Sequence, residues 1–273
     1  MLRPPHDRYQ RLYVYHLEMD LLPEITDPDF IGGWLEDGKP ILFFHHDKQQ
    51  LVDELCQKHH GTVFYQADLD YSDWEAGHAI TAFGIDDLTV APIWEQTPAD
   101  IRLDPSVIFG SGFHPTTRMC LAMLLKYLSA PEIEIKTMLD LGCGTGLLGI
   151  AAAMRGVEKI TAVDYNSLAC ELTTKNAERN GVQEKIVVEQ RDLLKGLPDT
   201  RVDLVVANLY RNLLRQLFQN KEFWKGNLYI ISGFISGMEE ELLAALPEKG
   251  FRMLERSRGD NWCLWVLIRT GPC

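Results

Sequence analysis

Residues 137–149, Thr137-Met138-Leu139-Asp140-Leu141-Gly142-Cys143-Gly144-Thr145-Gly146-Leu147-Leu148-Gly149, decide the fold. A short apolar run, 137–141, ends on glycines at every second position, and an apolar helix-forming segment, 147–155, follows at once. Glycine at such a junction lets the backbone turn tightly and come close to a ligand beside the positive end of the helix. Downstream the alternation continues. Strand-like segments at 160–163, 186–189, 202–207 and 228–231 are separated by helical ones at 167–180, 212–218 and 238–246. This α/β order predicts a mostly parallel sheet with helices on both faces. The chain ends differently, with two strand-like runs, 251–256 and 262–268, around Gly259-Asp260. That spacing predicts a C-terminal antiparallel hairpin at the sheet edge.

Upstream the pattern is mixed. Residues 9–18, 40–45, 62–66 and 88–93 read as strands. Residues 47–58 read as a helix with Leu51, Val52, Leu55 and Cys56 on one face. The stretch 21–39, with two prolines, Gly32, Gly33, Gly38 and many acids, reads as a loop. A small N-terminal α+β domain fits. Charge divides the chain in the same place. Residues 1–95 hold 18 Asp+Glu against 6 Lys+Arg, whereas 96–273 hold 21 of each, so the whole net charge of −12 lies in the first third. Residues 1–92 are therefore expected to form an acidic docking domain and linker, and 93–273 a cofactor-binding domain. A one-signed field steers a cationic partner, here a basic protein, and nucleic acid is disfavoured because phosphates need a basic footprint.

No run of about 18 apolar residues is present, so no membrane-spanning helix is expected. The start has no apolar stretch of signal-peptide length. Six scattered cysteines suit reduced thiols, and together these features predict a cytoplasmic protein. His45-His46 and His59-His60 match no standard zinc spacing, so no metal site is expected.

The glycine loop also contains Gly144-x-Gly146-x-x-Gly149, with Asp164 ending the next strand 20 residues after Gly144. This is the Rossmann-like dinucleotide fingerprint, and Asp164 is placed to accept from ribose hydroxyls. It does not by itself separate NAD from another adenosine cofactor. Asp140 tilts the choice, because an acid ahead of the glycines would repel a pyrophosphate but attract a cationic amino-acid tail. S-adenosylmethionine carries an amino group and a sulfonium and no phosphate. Asp192-Leu193, after the third strand, puts a further carboxylate where an adenine amino group can meet it. Asp140, Gly142, Gly144, Gly146, Asp164, Asp192 and Leu193 thus favour S-adenosylmethionine over NAD.

Three stretches carry a family likeness: residues 103–117, LDPSVIFGSGFHPTT; the glycine loop through Asp164; and Val205-Val206-Ala207-Asn208-Leu209. Trp74, Phe83, Val90, Pro92 and Trp94 add to it. The chain resembles the ribosomal-protein methyltransferases that modify large-subunit protein eleven, over about residues 74–273. The resemblance implies a class I S-adenosylmethionine-dependent fold and methylation of protein amines, at lysine side chains above all. It implies that Thr117, Gly142, Asp164 and Asn208 hold the cofactor and that Phe109 and Gly110 belong to a segment closing over it. Asn208 is a candidate for orienting the amine. Tyr210, where the family has a small residue, is a candidate wall of the amine channel. A small-molecule methyltransferase on the same domain is the alternative. An NAD-dependent oxidoreductase would leave 103–117 without a role.

Overall fold

The computed structural model describes residues 10–36, 38–74 and 80–271. The N-terminal part is an antiparallel sheet of β1 (Arg11–Glu18), β2 (Phe30–Glu36), β3 (Lys39–Phe44) and β4 (Thr62–Asp70), in the order β2-β3-β1-β4. Helix α1 (Gln49–Lys58) covers one face, closing Tyr15, Leu17 and Phe44 under Val52 and Cys56. A one-turn helix, α2 (Tyr71–Trp74), follows β4.

β2 replaces the loop expected over 21–39. Its glycines hid the alternation, and packing explains one of them. A Cβ on Gly32 would lie 2.6 Å from the Leu168 side chain, so glycine permits a close approach that a side chain would block. That contact is part of a larger one. The second face of the N-terminal sheet presents Leu12, Val14, Ile31 and Phe43 to Val107, Ile108, Leu168, Ala169 and Leu172, forming one buried cluster.

A small sheet comes next, with β5 (Phe83–Ile85) antiparallel to β6 (Leu88–Pro92) and β7 (Ile101–Leu103) parallel to β6. Helix α3 (Pro115–Leu128) then precedes the large sheet. Its residues gave no amphipathic signal because they are apolar nearly all round, as suits a helix with Cys120, Leu121, Leu124 and Leu125 buried.

The large sheet is the predicted one. Strands β8 (Thr137–Leu141), β9 (Lys159–Asp164), β10 (Ile186–Gln190), β11 (Leu204–Asn208) and β12 (Leu228–Ile235) run parallel, and β13 (Phe251–Gly259) and β14 (Trp262–Arg269) close the edge antiparallel. The order is β10-β9-β8-β11-β12-β14-β13. The chain reverses direction across the sheet between β8 and β11, the position where open α/β sheets bind ligands. Helices α4 (Leu147–Met154) and α5 (Ser167–Arg179) lie with α3 on one face. Helices α6 (Arg211–Gln219) and α7 (Glu239–Ala244) cover the other. The hairpin turns on Asp260 and Asn261, at φ +47° and +67°, one residue later than the sequence suggests. Two residues at positive φ match a type I′ turn, whose twist suits the flanking strands.

Candidate functional site

The glycine loop joins β8 to α4 with Gly142, Gly144 and Gly146 at φ +73°, +55° and +82°. Its floor is β9, where the Val163 carbonyl accepts from the N–H groups of Gly142 (2.8 Å) and Cys143 (3.0 Å). Its roof is residues 103–112, which cross over it as a strap. Thr145 donates its N–H to the Phe109 carbonyl at 3.1 Å and its hydroxyl to the Gly110 carbonyl at 2.8 Å. The approach is tight enough that a Cβ on Gly144 would sit 2.2 Å from the Phe109 oxygen. The structure therefore brings Phe109 and Gly110 against the loop, with the Phe109 ring itself half exposed.

Asp164, at the end of β9, accepts from Gly144 N–H (3.1 Å) on one oxygen and Asn166 N–H (3.0 Å) on the other. Burial pushes its carboxyl up from the ordinary range, and those N–H bonds oppose the shift. Asp140 is fully buried in β8 one strand away. Its pKa is raised to about 7, chiefly by burial and against the Gly149 backbone N–H, which favours the charged form, and its Oδ2 has no hydrogen-bond partner among the described residues. Asp192 follows β10 and accepts from Leu194 N–H at 3.0 Å, with Lys195 3.3 Å away. Leu193 beside it is buried against the core face that includes Val163. Arg191 N–H bonds the Asp164 carbonyl at 2.8 Å, which ties the Asp192 turn to the end of β9.

On the other side of β8, β11 ends on Asn208. Its Oδ1 is buried and unpartnered, and its Nδ2 lies 3.5 Å from the hydroxyl of Thr117, a buried residue in the first turn of α3. His114 caps α3, accepting from Thr116 N–H at 3.3 Å, while its ring meets those of Phe109 and Trp262 with centroids 5.1 and 4.6 Å away. Burial lowers its pKa, so it is a neutral cap at ordinary pH. Tyr210 precedes α6 and is 61% exposed, so its ring faces solvent and is no part of the core.

The sequence reading missed the residues that hold the strap. Asn176, fully buried in α5, accepts from Asp104 N–H (2.9 Å) and donates to the carbonyls of Asp104 and Thr145 (both 2.9 Å). Asn180, one turn on, accepts from Arg102 N–H (2.8 Å) and donates to its carbonyl (2.9 Å). Two asparagines four residues apart on a helix climb about 6 Å, close to the rise of two residues of extended chain, so α5 reads the strap as a neighbouring strand would. A signal for Asn176 exists: it continues the buried spacing of Leu168 and Leu172, a polar residue on an apolar stripe. Thr173 adds a bond from its hydroxyl to the Gly144 carbonyl at 2.9 Å.

Among the described residues the orphaned buried side-chain atoms are Asp140 Oδ2, an acceptor once the carboxyl is ionised, and Asn208 Oδ1, an acceptor throughout, both at or near the carboxyl ends of adjacent strands. A ligand there must bring donors, such as hydroxyl, amino or amine N–H groups.

A family model described as ribosomal protein L11 methyltransferase matches residues 44–270. The chain belongs to this family. It is similar to the ribosomal protein L11 methyltransferase of Carboxydothermus hydrogenoformans, with 35% identity over 190 residues, covering 67% of this chain and 61% of the relative. With that of Dictyoglomus turgidum it shares 38% over 185 residues, covering 65% and 60%. The chain thus matches only about 60% of the length of these relatives. A solved ribosomal protein L11 methylase from Lactobacillus delbrueckii subsp. bulgaricus superposes with a TM-score of 0.59 at 25% identity, over 70% of this chain and 100% of that one.

Proposed function

We propose that this protein is an S-adenosylmethionine-dependent methyltransferase acting on lysine or other amine groups of a basic protein, a ribosomal protein such as L11 foremost. The observation that carries this is the pair of buried acceptors without partners, Asp140 Oδ2 and Asn208 Oδ1, flanking the glycine loop. They fit the donor groups of the cofactor and of an amine substrate. When bound, the cofactor supplies a methyl group on a positively charged sulfur. Asp164 has lone pairs left over for ribose hydroxyls, and Asp140 faces the amino-acid tail. Asp192 and Leu193 border the adenine side, and Phe109, Gly110 and Thr117 close the site from above. Asn208 orients the incoming amine, which must be neutral to attack. Tyr210, with its ring in solvent beside Asn208, lines the amine's approach.

The partner rests on charge and exposure. The acidic first third would attract a basic protein. On β4, Phe64 and Tyr65 are 77% and 54% exposed, close in sequence to Asp68 and Asp70. Residues 1–92 are read as the docking part, 93–273 as the methyltransferase part, and the cytoplasm as the compartment. The test is incubation of the full chain with methyl-labelled S-adenosylmethionine and a ribosomal-protein fraction. Label in a basic ribosomal protein is expected. Label only in small molecules would assign a small-molecule substrate, and binding of NAD but not S-adenosylhomocysteine would overturn the cofactor.

A further inference from the structure

The strap is held from two sides. From the catalytic side come Thr145 and Asn176, described above. From the N-terminal side come Tyr71 and Trp74, neither of which belongs to the glycine loop or to the large sheet. Tyr71 is buried and donates its hydroxyl to the Ser106 carbonyl. Trp74 donates its indole N–H to the Val107 carbonyl at 3.1 Å. These are successive carbonyls at the start of the strap, just before Phe109 and Gly110 meet the glycine loop.

Ser106 itself is strained, at φ +48° with a side chain. A non-glycine residue stays there only where its surroundings over-determine it. Two bonds do so: Asp104 Oδ1 accepts from Ser106 N–H at 3.0 Å, and the Tyr71 hydroxyl holds the carbonyl. Trp74 is fixed in turn by Phe43, whose ring it meets edge-on at 5.1 Å, and Phe43 stacks on Trp34 at 4.7 Å. A chain of aromatic contacts thus runs from the N-terminal sheet to the strap. Beneath it, Leu12, Val14 and Phe43 share a core with Val107, Ile108 and Leu168.

We propose that Tyr71 and Trp74 are positioning residues for the cofactor. By holding the carbonyls of Ser106 and Val107 they set the strap's height over the glycine loop, and the N-terminal sheet is part of the frame of the cofactor site. The inference rests on the cofactor assignment made above. It implies that whatever docks on the N-terminal sheet and shifts it also shifts cofactor affinity, and the reverse, because such coupling is reciprocal.

The test uses the full chain carrying Tyr71→Phe, Trp74→Phe or both. Tyr71→Phe keeps the ring and removes its hydrogen bond, and Trp74→Phe keeps a smaller aromatic ring and removes the other. Calorimetry with S-adenosylhomocysteine should show the double variant binding about five- to tenfold more weakly than wild type. Amide exchange over residues 104–112 should quicken. Val52→Ala is the control, because Val52 lies on α1, fully buried against the opposite face of the same sheet in a different cluster. It should lower Tm at least as much as the double variant and leave the Kd unchanged. A double variant within twofold of wild type, or a Val52→Ala Kd that rises equally, overturns the proposal while the cofactor assignment stands. Failure of the wild-type chain to bind S-adenosylhomocysteine overturns both.

Discussion

At the scale of single residues, the two buried polar side chains Asp140 and Asn208 give the sharpest tests of the proposed site. Asp140 holds its proton up to about pH 7, mainly because burial penalises the charged form, with the nearby Asp164 charge adding to the shift. An unfolded aspartate ionises near pH 4. Between about pH 4 and 7 the folded state therefore keeps a proton that the unfolded state has released, and stability falls as pH rises through that window. Asp140→Asn should remove this term. Denaturant titrations of the ligand-free protein should show wild type losing of order 2–4 kcal/mol more than the variant between pH 4 and 7. Equal pH profiles would mean Asp140 is ionised in the fold. Among the described residues Asn208 makes no short side-chain hydrogen bond, only the 3.5 Å approach to Thr117. If it orients the amine, Asn208→Ala should reduce kcat at least tenfold and change the Kd for S-adenosylhomocysteine less than threefold, measured side by side.

At the scale of elements, helix α5 does more than cover the sheet. Its first turn, capped by Asn166, follows directly on Asp164. Its apolar stripe holds the N-terminal sheet, and Asn176 and Asn180 hold the strap. Asn176→Ala would leave buried Asp104 N–H and the carbonyls of Asp104 and Thr145 without these bonds. Leaving buried polar groups unpaired is costlier than losing the bond alone. Chemical denaturation should show a loss of about 2–4 kcal/mol, with S-adenosylhomocysteine binding weakened in the same variant because strap and glycine loop separate.

At the scale of the whole molecule, charge and packing give different divisions of the chain. The −12 confined to the first 95 residues marks a change of surface, and it predicts salt-sensitive encounter with a basic protein substrate. kcat/KM should drop at least tenfold as salt rises from about 0.1 to 1 M and the Debye length falls from about 10 to 3 Å. kcat should change little, since exposed charges act mostly on encounter. A flat salt profile would make the acids a solubilising surface. Packing, by contrast, unites the chain. The cluster joining Leu12, Val14 and Phe43 to Val107, Ile108, Leu168 and Leu172 would be exposed by any cut near Pro92.

The parallel sheet, the hairpin, the glycine loop and Asp164 were legible along the chain, because they depend on neighbours in sequence: alternation of period two and 3.6, and glycine where the backbone must turn. Element ends in the large sheet moved by three residues or fewer, except β12, which runs four past its expected end. β2 and α3 were not legible, since Gly32 owes its identity to Leu168 over a hundred residues away and α3 is apolar nearly all round, with only Arg118 and Lys126 as exposed charges. The ties on the strap were equally hidden. Tyr71, Trp74, Asn176 and Asn180 are ordinary residues locally, and their partners are backbone groups 31 to 78 positions distant. A backbone carbonyl leaves no mark on the sequence, so only the folded chain shows which side chains it binds.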